Sequence, residues 1–166
     1  MSKSAIQKAK LLHVYRMLYE KTDEEHVMTV NEIIQQLSSI GINAERKSIY
    51  DDIKVLRELD CDIVGVKSKT YGYYMASREF QIPELKLIID ALVSARFLTE
   101  KKTKELIDGL CNLASRNQKK ELIRNTGVYS KAKSRNENVY YNIDSINEAI
   151  SKNARIRFSY FDYDIN

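Results

Sequence analysis

The alternation of hydrophobic and polar positions divides the chain into stretches of helical period, interrupted in the first half by a strand-like one. Residues 4–21 put Leu11, Leu12, Tyr15, Leu18 and Tyr19 on one side of a helix and Lys8, Lys10, Arg16 and Lys21 on its wet side. The acidic loop Thr22-Asp-Glu-Glu-His26 follows. Thr29, with Glu32 three residues on, spells a capping box that starts a second helix. Val30, Ile33, Ile34 and Leu37 form its core face and Gly41 its C-cap. Asn43 is placed to cap a third helix over residues 44–59. There Ile49, Ile53 and Leu56 share a face. At about 100° per residue, Lys47, Asp51, Lys54 and Glu58 point the opposite way and Tyr50 lies on the flank. Past Leu59 the period shortens to that of strands: Ile63-Val-Gly-Val66 and Tyr71-Gly-Tyr-Tyr-Met75 flank Lys67-Ser-Lys-Thr70, which predicts a hairpin with a basic, polar tip.

From Pro83 the helical period returns, with the proline at a helix start where its missing N–H costs nothing. Leu85, Ile88, Ile89, Leu92, Val93 and Phe97 give this helix a wide apolar face. Thr99 caps the next, with Leu106, Ile107, Leu110 and Leu113 inside, and residues 117–125 form a third, short helix. Two long apolar stripes need a cover, which is either each other or a second copy of the chain. Residues 126–138 are polar, carry Lys131, Lys133 and Arg135, and read as a solvated linker. Asp144 is placed to cap a helix with Ile146, Ala149 and Ile150 inside. Residues 154–163 read as a strand with Ile156, Phe158 and Tyr160 on one face.

Composition narrows the class. One Pro, five Gly and no Trp in 166 residues fit a mainly α chain with a small β-hairpin, and a hydrophobic share of 43% suffices for a core. The apolar run from Leu87 to Leu98 is broken by Asp90 and Arg96, so no membrane span is expected. Met1-Ser-Lys-Ser-Ala-Ile6 does not read as a signal peptide. Cys61 and Cys111 stand isolated, which fits two reduced, buried thiols in a cytoplasmic protein. His13 and His26 are the only histidines, and neither they nor the pairs Asp51/Asp52 and Asp60/Asp62 find a convergent third ligand or a nucleophile. Phosphate-loop and dinucleotide motifs are absent too. The expectation is a protein without catalytic residues, metal or cofactor.

The candidate chemistry lies in the third helix. Arg46, Lys47 and Ser48 crowd its first turn, although a helix N-terminus prefers acidic residues. A cationic first turn makes sense if an external anion sits there, and phosphate is the commonest. Helix, short turn, basic helix, hairpin is the order of a winged helix-turn-helix. In that arrangement Arg46 and Lys47 reach phosphates or guanine acceptors, Ser48 a phosphate, and Tyr50 a thymine methyl or a phosphate, with Lys54 also in the major groove. The hairpin tip brings Lys67 and Lys69 to the backbone, unless it is an ordinary solvated turn. The whole unit has a second reading, a winged helix that binds protein and reads no DNA. Residues 1–77 hold 11 Lys/Arg and 11 Asp/Glu, which favours that reading, because phosphate affinity must then come from local clustering. The crowding of cations at one helix start favours DNA.

Three strings carry a family resemblance: Arg46-Lys-Ser-Ile-Tyr-Asp-Asp-Ile53, Gly72-Tyr-Tyr-Met-Ala-Ser-Arg-Glu-Phe80, and Leu85-Lys-Leu-Ile-Ile-Asp90 with Arg96-Phe-Leu-Thr-Glu-Lys-Lys102. They resemble bacterial transcriptional regulators that join an N-terminal winged helix-turn-helix to a WYL domain. The resemblance implies a DNA-binding domain over residues 1–80 and a helical linker and dimerisation region over 81–127, with a homodimer formed through 82–125. It also implies, over 128–166, a linker plus the first helix and strand of an incomplete WYL domain, a small β-barrel, so that the chain would be truncated. The function implied is sequence-specific binding of double-stranded DNA, controlled in the full-length protein by a nucleotide or nucleic-acid ligand on the missing barrel. Many relatives have Arg where this chain has Asp51; an aspartate accepts from a cytosine amino group and cannot clamp phosphate or guanine.

Overall fold

The computed structural model describes residues 3–67, 70–126, 133–134 and 136–159, excepting the side chains of residues 3–5, 7, 8, 125 and 126. The first helix, α1 (Lys3–Lys21), buries Val14, Met17 and Leu18, with Leu11, Tyr15 and Tyr19 packed beside them. This stripe is rotated from the expected one. Leu12 is 58% exposed, whereas Lys10, expected on the wet side, is 3% exposed. Lys10, Val14, Met17 and Leu18 form one helical line, and an ion pair with Asp52 offsets the cost of burying the ammonium. Arg16 stays in solvent; the side chain of Lys8 lies outside the described residues.

A two-residue strand, β1 (Met28–Thr29), leads into α2 (Val30–Ser39). The capping box is formed as expected: Glu32 N–H donates to Thr29 Oγ1 at 3.3 Å, and Thr29 N–H to Glu32 Oε2 at 2.7 Å. At the other end Gly41 takes φ +79°, and Gly41 and Ile42 N–H groups donate back to Ser38 and Leu37. That is a Schellman stop, closed by the buried pair Leu37 and Ile42. The third helix, α3 (Arg46–Glu58), starts later than expected. Its N-cap is Glu45, without a side-chain cap bond, and not Asn43. It ends in the same way as α2, with Asp60 at φ 60° in the position a glycine usually takes.

The hairpin pairs β2 (Ile63–Lys67) with β3 (Tyr71–Met75), and β1 adds to the far edge of β3, so the antiparallel order is β1-β3-β2. Tyr73 pairs with both Met28 and Gly65. A Cβ on Gly72 would lie 2.7 Å from Val27 Cγ2, so glycine is what lets β1 approach. Arg57 ties α3 to this sheet, donating to Ile63 O at 2.8 Å with its guanidinium over the Tyr73 ring. Buried side chains of α1, α2, α3 and the three strands form the first core.

A second core lies among α4 (Ile82–Ser94), α5 (Glu100–Cys111) and α6 (Arg116–Thr126), where Leu85, Ile89 and Val93 meet Ile107, Cys111 and Leu122. The two apolar stripes thus cover each other within one chain. Phe97, expected in the stripe, is half exposed. Thr99 caps α5 as expected, accepting from Lys102 N–H at 3.1 Å. Lys133 is not a solvated linker residue: its ammonium donates to Leu92 O and Ala95 O at 2.9 Å, closing the end of α4. Lys131 and Arg135 lie outside the described residues.

The last helix, α7 (Val139–Ser151), begins at Val139 behind Asn138, so Asp144 sits inside it and caps nothing. Of the expected inward residues only Ala149 is buried; Ile146 and Ile150 are exposed. Residues 154–159 form no strand, with Ile156 and Phe158 in solvent; the rest of the expected strand, with Tyr160, lies outside the described residues. Cys61 and Cys111 are free, and burial pushes both thiols up, with Asp60 adding to the effect at Cys61. Cys61 is only partly covered, not buried as expected. No described helix is long and apolar enough to cross a membrane.

The two cores meet where the expected acidic loop turns inward. Thr22 is fully buried and Asp23 is 5% exposed. Thr22 Oγ1 accepts from Met75 N–H at 3.0 Å, and Arg78 donates to Tyr19 O at 2.7 Å and Thr22 O at 2.8 Å, closing the end of α1. Asp23 accepts from the Ser115 hydroxyl just before α6, from His26 N–H at 2.9 Å, and faces His26 Nδ1 at 2.7 Å. Burial alone would raise the Asp23 pKa, but the Ser115 and His26 contacts outweigh it and hold the carboxyl below its ordinary value. A carboxyl that titrates lower when folded stabilises the fold above the ordinary carboxylate pKa of about 4, and loses that contribution as pH falls through the folded value. Asp23→Asn is therefore expected to cost about 1.5–3 kcal/mol at pH 7, with the gap to wild type closing in acid below about pH 4. Urea denaturation of both proteins across this range checks it; a gap that does not narrow with acid would contradict the assignment.

Candidate nucleic-acid interface

The surface of α3 follows from what it buries. Ile49, Ile53 and Leu56 are 0%, 2% and 4% exposed. Because side chains are spaced about 100° apart, this face leaves Lys47, Asp51, Lys54 and Glu58 on the opposite line, all exposed, as expected. Arg46 and Tyr50 lie on the flank toward the hairpin. The first turn of α3 contains no acidic residue, so Arg46 and Lys47 meet the positive end of the helix dipole with only the N-cap Glu45 carboxylate before them. Along the outer line Lys54 approaches Glu58 at 3.8 Å, an exposed pair of little energetic weight that leaves the lysine available.

Beside this line is a cleft of about 250 Å³. Arg46 and Tyr50 form one wall, Thr70 and Tyr71 of the hairpin the other, and Thr29, Val30 and Asn31 at the start of α2 its floor. The capping box uses the N–H groups of Thr29 and Glu32, and the register of β1 on β3 turns that of Val30 to Tyr71 O, which leaves that of Asn31 without an intrahelical partner. A cleft with one helix-end N–H, a guanidinium and two tyrosines suits an anionic oxygen. The Glu32 carboxylate beside it limits the field to what Arg46 and the helix end supply.

The structure brings Arg46 and Tyr50 together with the hairpin and places Lys47, Asp51 and Lys54 on one outward line. Lys67 ends β2, exposed and paired in register with Tyr71, while Lys69 lies outside the described residues. Ser48 departs from expectation. It turns toward α1, where its hydroxyl accepts from the Lys10 ammonium, so it is not held out for a phosphate. Asn31 and Tyr71 were not among the expected site residues. Their signal was weak but present: Asn31 is the second residue of a capped helix, and Tyr71 is the strand residue facing the basic tip. No group of His, Cys, Asp and Glu among the described residues is arranged to hold a metal ion. No family model, curated protein or solved structure matches the chain.

The two faces of α3 should respond differently to substitution. Lys47→Ala touches nothing buried and is expected to change stability by no more than about 0.5 kcal/mol. Ile53→Asp puts an unpaired charge into the first core and is expected to unfold the unit. Thermal denaturation followed by circular dichroism checks both, and unfolding by Lys47→Ala would overturn the assignment of faces.

Proposed function

We propose that the chain is a sequence-specific, double-stranded DNA-binding transcriptional regulator whose residues 1–80 act as a winged helix-turn-helix. The observation that carries the reading is the acid-free first turn of α3, with Arg46 and Lys47 exposed, next to a cleft floored by the start of α2 and walled by the hairpin. In it α3 enters the major groove, Lys47, Asp51 and Lys54 face base edges, and Arg46, Tyr50 and the Asn31 N–H hold a backbone phosphate. Lys67 and Lys69 follow the backbone alongside. Asp51 adds acceptance from a cytosine amino group. A homodimer would present two such helices to half-sites about 34–36 Å apart. Since the stripes of α4 and α5 cover each other, such a dimer would use outward residues of 82–125, of which Leu87, at 72% exposure, is the most open apolar one described. Control by a nucleotide or nucleic-acid ligand is carried by the WYL resemblance alone and is assigned to no described residue.

A protein-binding winged helix is the second reading. Asp51 and Glu58 on the outer line of α3, and the even charge of residues 1–77, favour it. Salt separates the two. If three to five of these cations each neutralise a phosphate, log affinity falls against log salt with a slope of roughly −3 to −4.5. Fluorescence anisotropy with a duplex enriched by the chain from a randomised pool, and with its scrambled counterpart, measures that slope. Lys47→Ala, which removes a base contact, is expected to cost about 1–3 kcal/mol on the enriched duplex, whereas Tyr50→Ala, which removes a phosphate contact, is expected to weaken both duplexes alike. A chain that enriches no sequence and binds no duplex at low salt would refute DNA readout.

A further inference from the structure

Lys10 is the feature that the proposed function leaves unused. It stands on α1, away from the outward face of α3, and its side chain is 4% exposed. Its ammonium lies 2.8 Å from Asp52 Oδ2 and 3.5 Å from Ser48 O, and donates to the Ser48 hydroxyl. All three oxygens belong to α3, the Asp52 contact being an ion pair, and Ser48 and Asp52 are one helical turn apart on the side facing α1. Burying such a pair is rarely the cheapest way to fill a core: an apolar pair of equal volume is often as stable or more so. What an ion pair adds is a fixed register, because it is lost on small displacements that an apolar contact tolerates.

From this geometry we infer that Lys10 is a positioning residue that sets the rotation of α3 about its axis, and with it the sequence preference of the interface. Lys47 and Asp51, which the proposed function puts against base edges, directly precede Ser48 and Asp52. Fixing the azimuth of one pair fixes that of the other. The stripe of Ile49, Ile53 and Leu56 alone tolerates some rotation with little loss of buried area. At the outer radius of a helix, roughly 5–6 Å, a turn of about 20° moves the outer end of a side chain by about 2 Å, enough to break a hydrogen bond to a base edge. Phosphate contacts through long flexible lysines survive such a shift. The lysine therefore governs discrimination between sequences more than affinity for DNA as such.

The inference rests on the DNA reading, and the test keeps the two apart. Lys10→Met alone leaves the largely covered Asp52 uncompensated and is expected to lower the thermal midpoint. The double variant Lys10→Met/Asp52→Leu removes both charges and is expected to recover it. Affinities for the enriched and the scrambled duplex are then compared at one salt concentration. The expected result is a double variant with a recovered midpoint, wild-type affinity for the scrambled duplex, and a specificity ratio lowered about tenfold, the worth of one base contact. A recovered midpoint with an unchanged ratio would overturn the inference and make the pair merely structural. Ser48→Ala serves if the double variant does not regain its midpoint, since it keeps the charges and removes one of the three contacts. It is expected to lower the ratio severalfold, whereas loss of a direct phosphate contact would weaken both duplexes equally and count against the inference. Failure of the wild-type chain to enrich any sequence would overturn the DNA reading and this inference together, a result distinct from an unchanged ratio.

Discussion

Ile49, Ile53 and Leu56 pack against α1 and α2 with at most 4% of their surface exposed, and the outward surface of α3 depends on that contact. Side chains on a helix keep fixed directions relative to one another, so burying one face presents the opposite one. Removing the exposure of three such aliphatic side chains is worth about 1.5–3 kcal/mol each, far more than any surface ion pair on the helix. The charges of Lys47, Asp51 and Lys54 are therefore carried outward by an apolar contact they take no part in. The local mismatch of two cations at the positive end of a helix dipole, a few tenths of a kcal/mol to about 1 kcal/mol, is tolerated because the core outweighs it. It is on a local cost of that kind, beside a cleft and a hairpin, that the proposed function rests.

The rest of the first unit orients the same helix. Lys10 holds it from α1, Arg57 from the sheet, and two Schellman stops fix the chain direction before and after it. The second core is joined to this unit by polar rather than apolar contacts: Asp23 to Ser115, Tyr19 to Leu113 O at 3.5 Å, and Arg116 to Glu20 at 3.5 Å. Such contacts are directional and depend on charge, so α4, α5 and α6 are registered on α1 by geometry more than by buried area.

Much of this was legible in the sequence. The Thr29–Glu32 box, the Gly41 stop, the buried and outward faces of α3, the hairpin and the Thr99 cap each follow from residue type at a fixed spacing. What could not be read has physical reasons. A two-residue strand such as β1 has no period, and its place is set by partners in β3 far along the chain. Lys10 follows a helical line of apolar residues, but an ammonium is assigned to solvent until its partner on another helix is known; the same holds for Asp23 and Ser115, 92 positions apart. Asp60 and Asn153 end helices in the left-handed region, where glycine is the usual signal. In α7 the start was misplaced because an aspartate that could cap a helix can equally well lie within one. The site was legible as a charged line; the cleft was not, since Asn31, Arg46 and Tyr71 converge only through the fold.

On the proposed function, the outward line of α3 and the adjacent cleft meet DNA. The most direct measurement is a set of amide nitrogen–proton NMR spectra of the chain titrated with the enriched duplex. Shifts concentrated at Asn31, Arg46, Lys47, Tyr50, Asp51, Lys54 and Lys67, with α5 and α6 unmoved, are expected. Shifts confined to the helices beyond Pro83, or none while the duplex is bound, would contradict it.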